Sequence, residues 1–245
     1  MRRILLIVVS VAVAAGACTS PQPTRFEALP EAISVIALGD SYTRGTSIDF
    51  TGSWPAQLER RLEGEGKFVD LTVVADAGWN TKRLHREFTS SWDGRTSDLI
   101  VVEIGVNDLV LNFGPENFLE GLDLLAADID KIRTPTSVVV VLSLPDFRAT
   151  PWGQERLDRG YDFEGFNAIL ESFAARIGAQ WVDITRTSAV ALGEPTFVAP
   201  DDLHFSADMY ALWVDAIVTA LSQPEQVRDQ ARVDRRSVED RTRLS

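Results

Sequence analysis

From Ile33 to Leu221 the sequence alternates short apolar runs with longer stretches in which apolar residues recur every three or four positions. A short apolar run bounded by turn residues reads as a strand buried on both faces, whereas a 3.6-residue period reads as a helix with one apolar face. The strands expected in this way are 33–38, 68–75, 99–104, 138–144 and 181–184. The helices expected are 53–64, a short one carrying Leu84, His85 and Phe88, then 115–132, 163–177 and 205–221. Strands that alternate with helices pair in parallel through right-handed crossovers. The fold expected is therefore a three-layer α/β/α sandwich around a central, mainly parallel five-stranded sheet. Such sheets bind ligands outside the carboxyl ends of their strands, so the residues that follow strands are the first candidates for chemistry.

Four polar breaks fall in such places. Gly39-Asp40-Ser41, Gly78-Trp79-Asn80-Thr81 and Gly105-Val106-Asn107-Asp108 follow strands, and Asp201-Asp202-Leu203-His204 precedes the last helix. At the first break Gly39 permits a tight turn, and a helix starting at Ser41 aims its positive end at whatever the hydroxyl attacks. A serine hydroxyl is a poor nucleophile without a base in reach, and His204 with two neighbouring carboxylates could supply one. Taken singly, each break also reads as ordinary turn chemistry.

In this order and context the four breaks resemble the conserved blocks of the SGNH hydrolases, the GDSL esterase/lipase superfamily. Gly39-Asp40-Ser41-Tyr42 matches the first block with Tyr42 in place of the commoner leucine. Gly78 with Thr81 matches the second, Gly105-Val106-Asn107-Asp108 the third, and Asp201-x-x-His204 the last; the resemblance covers about residues 34–222. It implies a flavodoxin-like sheet with Ser41 as nucleophile, His204 as general base and Asp201 orienting the imidazole. Asp202 is the rival carboxylate, disfavoured by the family's spacing. It also implies an oxyanion hole formed by the backbone N–H groups of Ser41 and Gly78 and the side-chain amide of Asn107. The reaction implied is hydrolysis of a carboxylic ester through an acyl-enzyme, with no metal and no cofactor. The substrate class is a short-chain acyl or acetyl ester of a glycan, lipid or small molecule. An acyltransferase would use the same residues, and a noncatalytic glycan-binding lipoprotein would have no need of them together.

Composition bounds the partners. A formal charge of -12 and a pI near 4.6 argue against nucleic acid and against adhesion to anionic membranes. With one cysteine, Cys18, and two histidines, the chain has neither an intrachain disulfide nor a zinc cluster. Arg2 and Arg3 precede an apolar run, 4–15, too short to span a bilayer comfortably, so residues 1–17 are expected to be an export signal. Ala15-Gly16-Ala17-Cys18 resembles a bacterial lipoprotein signal that leaves Cys18 lipid-modified, and Ala15-x-Ala17 also fits ordinary signal-peptidase cleavage. The enzyme is thus expected in the cell envelope or secreted, touching a membrane only through a lipid on Cys18. Residues 18–31 are expected as a linker, 32–222 as the hydrolase domain and 223–245 as a disordered polar tail. His85 is expected to be structural or exposed, and Trp213 to lie in the core. Trp54, Trp79 and Trp152 are read either as core residues or as the lining of a substrate pocket, and loops 46–52, 92–96 and 146–160 as the substrate-selecting segments.

Overall fold

The computed structural model of the protein describes residues 24–223. The expected export signal, Cys18 and the tail from residue 224 lie outside the described residues. The apolar runs form β1 (Ala32–Gly39), β2 (Phe68–Ala75), β3 (Ser97–Glu103), β4 (Arg133–Leu142) and β5 (Gln180–Val182). They pair in the order β2-β1-β3-β4-β5, and every pair is parallel.

Ten α-helices connect or flank these strands among the described residues: α1 (Arg25–Ala28), α2 (Ser41–Arg44), α3 (Trp54–Gly64), α4 (Thr81–Ser91), α5 (Val106–Val110), α6 (Gly114–Ile132), α7 (Pro151–Gln154), α8 (Phe163–Ile177), α9 (Thr185–Ala189) and α10 (Ala207–Leu221). Contacts of α10 with α1 and α3, and of α6 with α4 and α8, define the two helical layers. The α6 stripe Phe118, Leu122, Leu125, Ile129 and Ile132 is fully buried, as its spacing requires; burying each such side chain contributes about 2 kcal/mol. On α10 the buried stripe runs through Met209, Trp213 and Ile217, while Leu212, expected on that face, is turned towards solvent.

Element ends differ from the sequence reading where pattern carries no signal. β4 starts at Arg133 rather than 138, because its first residues are polar or exposed and include Pro135. Phe205 forms an antiparallel bridge with Val198, so α10 begins only at Ala207. Packing against the domain begins at Thr24, ahead of the boundary expected at residue 32. Thr24 and Glu27 form a reciprocal capping box, Leu29 is buried, and Arg25 donates to Gln180 Oε1 at 2.7 Å.

Candidate active site

The register of the sheet sets the position of the site. β1 lies between β2 and β3, and Gly39 is paired with both Ala75 and Glu103, so the chain leaves three adjacent strands at one level. At the end of β1 the backbone folds straight into α2. A Cβ on Gly39 would collide with Thr43 Oγ1 and with the Glu103 carbonyl oxygen, so only glycine lets α2 lie this close to β3. Asp40 Oδ1 accepts from the Tyr42 N–H at 3.0 Å and caps the helix. Ser41 is the first helical residue, so no carbonyl one turn behind it takes its N–H, which stays available to a ligand.

The other two strand-end loops are tied to this one. Asn107 donates its amide to the Trp79 carbonyl at 3.0 Å and to Asp40 Oδ2 at 3.2 Å. Asp108 receives the Thr81 N–H and hydroxyl at 3.0 and 2.8 Å, fixing the start of α4. Gly78 sits in the turn between β2 and α4 at φ +75°, a left-handed conformation that favours glycine, and no turn hydrogen bond uses its N–H. The site thus places the N–H groups of Ser41 and Gly78 and the Asn107 amide at neighbouring strand ends, although the Asn107 amide is engaged by two internal acceptors.

The fourth break pairs a carboxylate with a histidine. Asp201 Oδ1 accepts from the backbone N–H groups of Leu203 and His204 at 3.1 and 2.9 Å, which winds residues 201–204 into a tight turn. Asp201 Oδ2 lies 2.5 Å from His204 Nδ1 and 2.5 Å from Ser47 Oγ. The carboxylate fixes the proton on Nδ1 and leaves the Nε2 lone pair free. Asp202 does not share this role: its carboxylate is exposed, its φ is +61°, and its carbonyl accepts from the Trp152 N–H. The Tyr42 ring lies 5.1 Å from the His204 ring, which brings the imidazole beside the residue after Ser41. Among the described residues no hydrogen bond joins Ser41 Oγ to His204 Nε2; such contacts often tighten only around substrate.

Three carboxyl groups are buried beneath these loops. Burial pushes Asp40 up from 3.8 to about 7, against the opposing hydrogen bonds from Tyr42 and Asn107. Burial raises Asp108 to about 6 despite its two bonds from Thr81. Glu103 is carried well above 4.5 by burial and by the Asp40 charge, and its Oε1 has no partner. In the unfolded chain all three ionise near pH 4, so above that pH the folded protein holds protons that the unfolded chain has released. Their stabilisation is complete below about pH 4 and is lost as pH climbs to about 7 and beyond. Asp201 works the other way. Burial would raise it, but hydrogen bonds from Ser47, His204 and Leu203 hold it at about 2, so its contribution is present above about pH 4 and is lost towards pH 2. Thermal unfolding should therefore give a melting temperature that peaks between about pH 4 and 5 and falls by several degrees towards pH 8. Glu103→Gln should make that fall shallower. A melting temperature that is level across this range, and equally level in Glu103→Gln, would count against raised carboxyl groups at these positions.

The remaining candidates separate cleanly. His85 lies outside the site: its Nδ1 is 2.6 Å from Oδ2 of the fully buried Asp128, whose other oxygen takes Lys131 Nζ at 2.9 Å, so the three residues join α4 to α6. Trp54 and Trp213 are core residues, and Trp79 and Trp152 pack half-buried against the core. Ser47 escaped the sequence reading, because a lone serine in a polar loop carries no pattern. Among the described residues no group of three or more His, Cys, Asp or Glu is placed to hold a metal ion, and no helix is long and apolar enough to cross a membrane.

Comparisons with known proteins bear on the family and the fold. Residues 37–212 match the family model described as the GDSL-like Lipase/Acylhydrolase family. The chain is 27% identical over 129 residues to an arylesterase of Vibrio mimicus, a match spanning 52% of this chain and 62% of that protein, less than two thirds of its length. Among solved structures, a lipase/acylhydrolase from Enterococcus faecalis superposes with a TM-score of 0.61 at 20% identity, covering 79% of this chain and 99% of that one. An acetylxylan esterase from Geobacillus stearothermophilus gives a TM-score of 0.62 at 13% identity, covering 78% and 94%. At these identities the structural likeness is one of fold.

Proposed function

Since the chain belongs to the GDSL-like lipase/acylhydrolase family, and is a hydrolase of that family, we propose that it cleaves short-chain acyl esters at Ser41 through an acyl-enzyme intermediate. The observation that carries this reading is the Asp201–His204 pair, with Nδ1 held at 2.5 Å and Nε2 left free beside the nucleophile turn. In the first half-reaction His204 Nε2 takes the Ser41 proton as Oγ attacks the carbonyl carbon. Negative charge collects on the former carbonyl oxygen, where the N–H groups of Ser41 and Gly78 and the Asn107 amide receive it; each such donor contributes about 3 kcal/mol to the transition state. Asn107 can turn one N–H to this oxygen only by releasing Trp79 or Asp40. Collapse of the intermediate expels the alcohol, which takes the proton back from Nε2. Water then repeats the sequence on the acyl-serine, with His204 again as base and then acid, and frees the carboxylic acid. Asp201 stays ionised throughout and holds the imidazolium in place, in keeping with a carboxylate held at about 2.

The acidic chain favours a neutral ester over an anionic one. An uncharged acyl sugar or small-molecule ester outside the cytoplasm is the setting we propose, from the export-like N-terminal sequence. The test is hydrolysis of p-nitrophenyl acetate, butyrate and octanoate by the protein, with fluorophosphonate labelling in parallel. Turnover is expected to be fastest on the acetate or butyrate ester, with labelling at one serine. A folded protein that neither turns over any of the three esters nor labels would refute the proposal.

A further inference from the structure

Two loops meet at the acid of this pair. Ser47 Oγ donates to Asp201 Oδ2 at 2.5 Å, the same oxygen that faces His204 Nδ1. The backbone that delivers Ser47 comes directly from the nucleophile: the Gly45 and Thr46 N–H groups both donate to the Ser41 carbonyl, at 3.1 and 3.0 Å, and Ser47 follows at once. Ser47 itself adopts φ +69°, and Asp202, beside the acid on the facing loop, adopts φ +61°. These are two of the three non-glycine residues with positive φ among the described residues. Backbone conformations of this kind persist only where the surroundings hold them, and they gather at functional sites. The link is local and directed: a short strap leaves the Ser41 carbonyl, passes a left-handed residue and ends on the acid's oxygen.

We propose that Ser47 is a positioning residue of the hydrolytic site, whose hydroxyl fixes the Asp201 carboxylate in the rotamer that holds His204 Nδ1 and so couples the nucleophile turn to the acid–base pair. This inference rests on the Ser41–His204–Asp201 reading above. Without the Ser47 donor, Oδ2 keeps only the imidazole, and the carboxylate rotamer is held through Oδ1 alone, by the Leu203 and His204 N–H groups. The base then spends less time aligned with Ser41, which lowers kcat and leaves substrate binding alone.

Backbone strain and the hydroxyl can be separated by two variants. Ser47→Ala and Ser47→Gly both remove the donor, but glycine accepts the left-handed backbone and alanine does not. The expected result is a kcat about fivefold to tenfold below wild type in both, corresponding to the net contribution of one ordinary hydrogen bond, with KM within twofold. The melting temperature of Ser47→Gly should exceed that of Ser47→Ala, because only glycine relieves the left-handed backbone while both lose the hydroxyl. If Ser47→Gly keeps wild-type kcat, or if the loss appears in KM alone, the proposal fails. A second readout needs no turnover. In proton NMR of the wild-type protein, the His204 Nδ1–H held by Asp201 should give a low-field signal that shifts or broadens in Ser47→Gly, and an unchanged signal would also overturn the proposal. Failure of the hydrolase reading shows instead as a wild-type protein with no ester turnover, whatever the NMR signal does.

Discussion

Ser41→Ala is expected to lower ester turnover by on the order of 10⁴-fold or more, and to abolish fluorophosphonate labelling, with little change in melting temperature. The two halves of this expectation have separate causes. In the proposed mechanism the catalytic loss follows because the acyl-enzyme forms on Ser41, while the remaining oxyanion donors and the substrate site still allow slow attack by water. The fold is spared because the hydroxyl makes no hydrogen bond with the described protein. The turn is held instead by Asp40 capping α2 and by the Ser41 carbonyl, both unchanged in alanine. Kinetics on p-nitrophenyl butyrate together with a thermal melt read both. A variant that retains more than about a tenth of wild-type kcat would assign the nucleophile elsewhere, whereas a collapse in melting temperature would mean that the hydroxyl braces the turn.

The second large effect is structural. Gly39→Ala is expected to destabilise the protein by about 3 kcal/mol or more, lowering its melting temperature by roughly 6–12 °C. The new methyl has nowhere to go. It meets Thr43 Oγ1 on one side and the Glu103 carbonyl on the other, and that carbonyl belongs to the central strand β3. Relief requires α2 to lift off the sheet, carrying Ser41 away from the Gly78 and Asn107 loops, so activity should fall together with stability. Gly64→Ala at the end of α3 is the control, because a Cβ there meets nothing within 4 Å. Denaturant or thermal unfolding of the two variants decides the matter: if Gly39→Ala melts within about 2 °C of the control, the close approach of α2 to β3 is softer than described.

Most of the architecture was legible because it is written in hydrophobic periodicity. The Leu99-Ile100-Val101-Val102 run could only be a strand buried on both faces, and the stripe through Phe118, Leu122 and Leu125 could only be a crossover helix. Polar strand beginnings were not legible: the first residues of β4 pair with a polar segment and carry a proline, so no apolar pattern marks them. α1 had a readable signal in its Thr24-x-x-Glu27 capping box, which the expectation of a linker over residues 18–31 passed over. The positions of Ser41, Gly78, Asn107, Asp201 and His204 could be read as motifs because each follows or precedes a regular element. Their supporting contacts could not, since Ser47 reaches Asp201 across 154 positions of sequence and His85 reaches Asp128 across 43. One clue was present for the latter, a carboxylate placed among Leu125 and Ile129 on an apolar helix face, which needs a buried partner.

The site is divided unevenly along the chain. The whole parallel sheet, Ser41 and the three proposed oxyanion donors precede the segment from Asp201 onward, which contributes the proposed acid and base and α10. A chain made from its N-terminus therefore has its nucleophile and its sheet residues long before it has a base. On the proposed roles, the nucleophile turn and the acid–base pair come together only once residues 201–221 have followed and α10 has packed against α3.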